Sequence, residues 1–326
     1  MENVSDAPDA SELVARLGRV EAEINRTVIG QNKVVREVMI AMLAGGHAIV
    51  EGVPGLGKTL LVKSIAAAVN ARFRRVQFTP DLMPSDISGH EMFEMKTNTF
   101  KVRQGPVFTN FLLADEINRA PAKTQSALLE VMQEHQVTIE GRSYLLKPPF
   151  LVLATQNPIE HEGTYPLPQA QLDRFLLKIF IDYPDLESET AIVKTITNRA
   201  IGDKLDVSGI KKMLDIDSVL ALQKLTATLK TDTAIVDYAV KIARATREWS
   251  GIEIGAGPRG SLALLRAGRG NALLNGNTFV TPDDIKSIAP AVLRHRIKLT
   301  TDMEIEGYHP DDVLKDILDT VEAPRV

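Results

Sequence analysis

The stretch AIVEGVPGLGKTLLVKSIAAAV, residues 48–69, decides the fold. An apolar run ends at Val50, glycines and a proline follow, and then Leu61, Ile65 and Ala68 recur on one stripe of strong helix formers. Glycine costs backbone entropy and proline removes a ladder donor, so the middle is a loop with a special path. The unit reads strand, glycine loop, helix. Within it, Gly52-x4-Gly57-Lys58-Thr59 fits the phosphate-loop pattern in the context that pattern requires. Gly52, Val53, Pro54, Gly55, Leu56 and Gly57, with Lys58, Thr59 and Leu60 at the helix start, would wrap phosphates. Inward-turned N–H groups and the positive helix end supply the attraction. Lys58 would neutralise the β- and γ-phosphates, and the Thr59 hydroxyl would hold Mg²⁺. A tight turn with a surface lysine is the plainer alternative.

Outward from this unit, apolar runs recur at 73–79, 110–114, 150–154 and 175–181 with helical patterns between them. Such unalternating strands predict a parallel sheet covered by helices on both faces. Two hairpins interrupt it: Met92–Met95 with Phe100–Val102, and Val137–Ile139 with Tyr144–Leu146. Upstream, Ser11 is expected to cap a helix carrying Leu13, Leu17, Val20 and Ile24, the first dozen residues are expected to be disordered, and a second helix spans 32–44. After Tyr183-Pro184-Asp185 amphipathic helical patterns take over, and Thr281-Pro282-Asp283-Asp284 is a helix start. The expected division is an N-terminal helical segment (1–27), an α/β core (28–184) and an all-α part (185–326).

With 44% apolar and 25% charged residues, the 326-residue chain can bury a large core. No apolar run reaches membrane-spanning length, so no membrane insertion is expected, and the acidic, polar start MENVSDAPDASEL is unlike a signal peptide; the cytoplasm is the expected location. The absence of cysteine excludes disulfides, thiolate metal sites and cysteine nucleophiles. A net charge of −4 gives no general attraction to nucleic acid. The six histidines are scattered, and Glu160-His161-Glu162, lacking further ligands, reads as a solvated loop.

A nucleotide site needs a second metal-holding carboxylate. Phe111-Leu112-Leu113-Ala114-Asp115-Glu116 supplies it at the end of an apolar run. Asp115 would bind Mg²⁺ through water, and Glu116 would take a proton from the attacking water, which distinguishes a hydrolase from a protein that only holds nucleotide. Asn157, after the run 150–154, would stand at the same sheet edge and orient that water. Taken singly, two acids after a strand mark its exit to solvent, and Asn before Pro marks a turn.

The order of phosphate loop, Asp-Glu strand, Asn-bearing strand and helical tail resembles the AAA+ ATPases. More narrowly, DEINRAPAKTQSALLEVMQEHQVTIEG (115–141), ATQNPIEHEGTYPLPQAQLDRF (154–175) and GPRGSLALLRAGR (257–269) resemble the MoxR family. The resemblance implies a P-loop NTPase core with two hairpin inserts followed by a helical lid, ATP and Mg²⁺ as ligands, and ATP hydrolysis that drives chaperone-like remodelling of a protein client. It implies a homo-oligomer, with a hexameric ring expected, and a separate von Willebrand A domain partner. The Asp-x-Ser starts at Asp86 and Asp206 do not complete that domain's metal motif, so it is not contained here.

Matched residue by residue, the resemblance makes Asn157 sensor 1, Arg174 the arginine finger and Arg259 sensor 2, while Ile29 and Gly30, in Val28-Ile29-Gly30-Gln31, lie against the adenine. It names the hairpins the helix-2 and pre-sensor inserts. A finger acts on the neighbour's γ-phosphate and adds about 10³–10⁵ in rate. Sensor 2 acts on its own or a neighbour's nucleotide, and both readings stay open. So do an ion pair of Arg174 with Asp173 or a sheet-edge acid, and a solvated helix start at Arg259. Arg119 is a further interface cation to consider. Ser88–Phe93 resembles the lead-in to the contact loop of σ54-dependent activators, but the Gly-Ala-Phe-Thr-Gly-Ala tip and a helix-turn-helix are missing. A DNA-acting motor, a chelatase-type motor subunit or a binding scaffold with negligible turnover are the alternatives.

Overall fold

The computed structural model describes residues 10–158, 163–199 and 207–325. The expectations for the first nine residues, Glu160-His161-Glu162 and Asp206 lie outside the described residues. Helices α1 (Ala10–Asn25) and α2 (Asn32–Leu43) precede strand β1 (Ala48–Glu51), and the glycine loop leads into α3 (Lys58–Ala68). Next come β2 (Phe73–Gln77), α4 (Pro84–Ser88) and a hairpin of β3 (Gly89–Glu94) with β4 (Thr99–Gln104). Then follow β5 (Phe111–Asp115), α5 (Ala122–Glu134) and a second hairpin of β6 (Gln136–Ile139) with β7 (Arg142–Leu145). β8 (Leu151–Gln156), α6 (Gln169–Leu172) and β9 (Leu177–Phe180) complete the α/β part.

The five long-range strands form one parallel sheet in the order β2-β5-β8-β1-β9. β1 is flanked by two strands that come much later in the chain, so the loop after it opens at the crevice where ligands bind in such sheets. The strands alternate between two cores. Ala48, Val50, Phe111, Leu113, Leu151 and Leu153 face one apolar cluster, while Ile49, Leu112, Ala114, Val152 and Ala154 face the other. Both faces of β1, β5 and β8 are therefore buried, which is why these strands read as continuous apolar runs, whereas β2, expected to be another, stands at the sheet edge with Arg74, Arg75 and Gln77 exposed.

The remainder is helical: α7 (Leu186–Arg199), α8 (Ile216–Thr228), α9 (Thr233–Glu248), α10 (Pro258–Leu274), α11 (Pro282–Leu293), α12 (Thr301–Ile305) and α13 (Pro310–Thr320). It also carries a short antiparallel pair, β10 (Ile252–Ile254) with β11 (Lys298–Leu299), which the all-α expectation did not include. Strands of three and two residues leave no periodic signal. Ser11, expected as the cap, lies within the described span of α1. Leu17, Val20 and Ile24 of α1 share one cluster with Leu113 of the sheet and Leu222, Leu264 and Ile285 of the helical part. Among the described residues no helix is long and apolar enough to cross a membrane.

Candidate functional site

The loop after β1 is shaped by its glycines. Gly57, at the N-cap of α3, adopts φ +79°, a left-handed conformation that a side chain would strain. A Cβ at Gly52 would lie 2.4 Å from the carbonyl oxygen of Ile181, so only glycine fits beside the chain leaving β9. The loop borders a cavity of about 330 Å³ lined by Pro54, Gly55, Gly57, Lys58, Thr59 and Leu60, and by Asp115, Glu116 and Asn157 from the ends of β5 and β8. All of these were expected there from the sequence. Lys58 Nζ donates to the Gly52 carbonyl. Burial pulls the Lys58 pKa down, opposed by the carboxylates of Asp115, Glu116 and Glu51.

Lys63, Arg75, Gln77 and Thr155 were not expected. Lys63 and Arg75 also line the cavity. The pairing of β2 with β5 sets Gln77 beside Asp115, and Arg75, two residues back, lies on the same face. Arg75 donates from Nε and Nη2 to Asp115 Oδ2, at 2.9 and 2.6 Å, and from Nη2 to Gln77 Oε1 at 2.8 Å. Gln77 Nε2 donates to Glu116 Oε2 at 2.7 Å, and Arg119 Nε pairs with the same oxygen at 3.2 Å. Thr155 Oγ1 donates to Asp115 Oδ1 (2.6 Å) and accepts the Glu116 N–H (2.8 Å). Glu116 itself has φ +56°, a backbone state that costs energy and concentrates at functional sites. Both acids are thus held by a continuous ladder across the strand ends, and Arg119 belongs to it.

Beside the loop, Val28, Ile29, Leu56, Leu60, Pro184 and Ile192 line a smaller, mostly apolar cavity of about 120 Å³. A flat aromatic base fits such walls. Gln31 Nε2 fixes this segment by donating to the Asp182 carbonyl at 2.7 Å. Gly30 does not line the cavity. It abuts α7, where a Cβ would come within 2.8 Å of Ser188 Cβ. Val53 lines a separate cleft of about 460 Å³ with Glu51, Phe180 and Arg294.

The residues present fit a nucleotide with its metal: an open glycine loop, an ammonium, a hydroxyl and a helix N-terminus face one cavity, with two carboxylates opposite. Thr59 and Asp115 are the side chains that would hold Mg²⁺.

Arg174 and Arg259 lie elsewhere. They line a cavity of about 400 Å³ with Gly46, His47, Phe175 and Leu176, residues at the start of β1 and β9. The phosphate loop follows the end of β1, and a four-residue strand rises about 13 Å. The two arginines and the loop of the same chain therefore occupy opposite edges of one sheet. Arg174 Nη1 donates to the Leu129 carbonyl at 3.2 Å. Arg259, at the N-terminus of α10, pairs with Asp173 Oδ2 at 3.6 Å, so the acid beside Arg174 serves Arg259. His47, buried, donates from Nε2 to the Met132 carbonyl and accepts the Val152 N–H at Nδ1. Burial pushes its pKa down to about 4.

Comparison with known proteins agrees with this geometry. Residues 47–177 match the ATPase family associated with various cellular activities (AAA), and residues 244–317 match the AAA lid domain. The chain is 44% identical to Chaperone MoxR1 of Mycobacterium tuberculosis over 96% of its own length and 84% of that protein. It is 40% identical to YeaC of Bacillus subtilis, a protein described as uncharacterized, over 94% of this chain and 95% of the other. A crystal structure described as a candidate ATPase from Cytophaga hutchinsonii superposes with a TM-score of 0.89 at 39% identity, covering 97% of each chain.

Proposed function

Since this chain belongs to the MoxR family of AAA+ ATPases, we propose that it is a Mg²⁺-dependent ATPase whose active site is completed where two copies meet, in a ring, and whose turnover remodels a protein client. One copy contributes Lys58, Thr59, Asp115, Glu116 and Asn157, and the next contributes Arg174 and Arg259. The observation that carries this reading is the position of the two arginines at the sheet edge opposite their own phosphate loop, too far to serve it. It favours action of Arg259 across the contact as well.

In this mechanism the small apolar cavity takes the base, and the amides of residues 52–57 with Lys58 grip the phosphates. Magnesium supplies charge neutralisation of the phosphate oxygens when bound. Gln77 releases Glu116, whose carboxylate then takes a proton from water oriented by Asn157. The incoming guanidinium stabilises charge on the γ-phosphate oxygens as the bond to the leaving ADP breaks. The client contact is assigned to the β3–β4 hairpin, whose Met92, Phe93, Met95 and Phe100 are exposed. A protein client, a separate von Willebrand A domain partner and a hexamer rest on the family. The chaperone name of the Mycobacterium tuberculosis relative supports the client.

Phosphate release measured per protomer over a dilution series tests the reading. The specific rate is expected to rise with concentration and to fall by about 10³–10⁵ in Arg174→Ala, while Glu116→Gln binds ATP without turning it over. Full turnover by strictly monomeric protein overturns it.

A further inference from the structure

The cavity that holds Arg174 and Arg259 also contains Arg266 and Arg296, and among the described residues Asp173 is the one carboxylate that lines it. Arg296 differs from the others in being buried, with 3% of its side chain exposed. Every N–H of its guanidinium has an acceptor. Nε donates to Asp173 Oδ1 at 2.8 Å; Nη1 donates to the carbonyls of Leu176 (3.1 Å) and Val292; Nη2 donates to the carbonyls of Phe175 (2.6 Å) and Asp173 (3.5 Å). The planar group thereby ties α11 to the start of β9 and leaves Asp173 Oδ2 turned toward Arg259, 3.6 Å away. A saturated fork of this kind has one orientation, and lysine, with three donors on a flexible stem, cannot reproduce it.

We infer that Arg296 and Asp173 are positioning residues for hydrolysis in the neighbouring copy: Arg296 fixes the Asp173 carboxylate, and Asp173 aims Arg259 from the sheet edge while holding the adjoining Arg174 backbone in place. The inference rests on the reading that these arginines act across a contact. Its physical basis is charge as well as geometry. Two guanidinium groups, one fixed and one 60% exposed, share a single carboxylate. Without that negative charge they repel, and only Arg259 is free to move. Misplacing a catalytic group by about an ångström lowers rate by up to about a hundredfold without touching ground-state binding of nucleotide, because the nucleotide is held by the other edge of the other copy.

The test uses Arg296→Lys and, in case that variant does not fold, Asp173→Asn, which alters a partly exposed side chain. For each, turnover and the affinity for a fluorescent ATP analogue are measured, first alone and then mixed with Glu116→Gln protein. Arg174→Ala mixed with Glu116→Gln is the reference. The expected result is a loss of about ten- to a hundredfold in kcat with unchanged nucleotide affinity. Glu116→Gln copies have intact arginines, so mixing is expected to restore turnover above the weighted sum of the two preparations. A merely structural defect stays in the defective copy and is not repaired by a neighbour. Wild-type turnover in a folded Arg296→Lys or in Asp173→Asn overturns the inference. So does a loss that mixing leaves in place while Arg174→Ala is rescued. If Arg174→Ala is not rescued either, the reading of a shared site fails, and the inference fails with it.

Discussion

His47 sits at the entry to β1 with its ring edge-on to Phe150, 5.7 Å between centroids, and its two nitrogens committed to Met132 and Val152. Accepting the Val152 N–H requires an unprotonated Nδ1, so the folded state holds the neutral imidazole. Its pKa is lowered to about 4 by burial, against an ordinary 6.5. The unfolded chain binds the proton first on acidification, so this stabilisation is complete above pH 6.5 and is lost as pH falls toward 4. His47 is expected to account for about 2 kcal/mol of lost stability between pH 7 and pH 5. Urea denaturation at the two pH values checks this: His47→Asn should lose correspondingly less over that interval, and an unchanged difference refutes it. His295, pushed well below the ordinary range by burial, acts in the same direction in both proteins.

Single residues also show what the sequence could carry. Lys58, Thr59, Asp115, Glu116 and Asn157 were legible because each sits in or beside a contiguous pattern whose chemistry needs that residue type. Arg75, Gln77 and Thr155 were not, because strand pairing alone brings β2 and β8 against β5. Read along the chain, 73–79 is only one more run expected in the sheet, and nothing in it says which carboxylates Arg75 and Gln77 meet.

The elements follow the same division. α11 begins where Thr281 and Asp284 reciprocate: Asp284 Oδ2 accepts the Thr281 N–H at 2.9 Å, and Thr281 Oγ1 accepts the Asp284 N–H at 3.3 Å. Pro282 stands in the first turn, where its missing N–H is not needed. All of this is local, and all of it was readable. Thr281→Ala is expected to lower stability by about 1 kcal/mol with nucleotide affinity unchanged, as measured by chemical denaturation and by titration with nucleotide. The hairpins were legible from alternation around polar turns, although β3 starts three residues earlier than the exposed apolar side chains suggest. The β10–β11 pair was not, since Ile252 and Leu299 meet only after α10 and α11 have folded back between them.

At the scale of the molecule, the sequence reading divides the chain near residues 27 and 184, yet one apolar cluster runs from α1 through the sheet into α8, α10 and α11. Composition changes along a chain mark where strands give way to helices; they carry no information about which faces later merge. Leu17 in α1 has no exposed surface and lies in this shared cluster. Leu17→Ala is expected to cost about 2–5 kcal/mol. Because the cluster is common, the fluorescence of Trp249, the single tryptophan and a part of the lid, should move to lower denaturant together with the far-ultraviolet helical signal. A Trp249 transition left in place while the other shifts would show that the lid unfolds on its own.

Under the proposed action of Arg174 and Arg259 on a neighbour's nucleotide, their separation from the phosphate loop by the length of β1 would give the assembly a polarity. Isologous pairs and head-to-tail chains can both bring unlike ends together, but only the head-to-tail contact propagates, and it is the one the proposed ring would use. In that ring each subunit would report on one neighbour's nucleotide while its own is read by the other, and a signal released by cleavage would travel around the circle in one sense only. An open arc would always end in one subunit with a loaded but silent pocket.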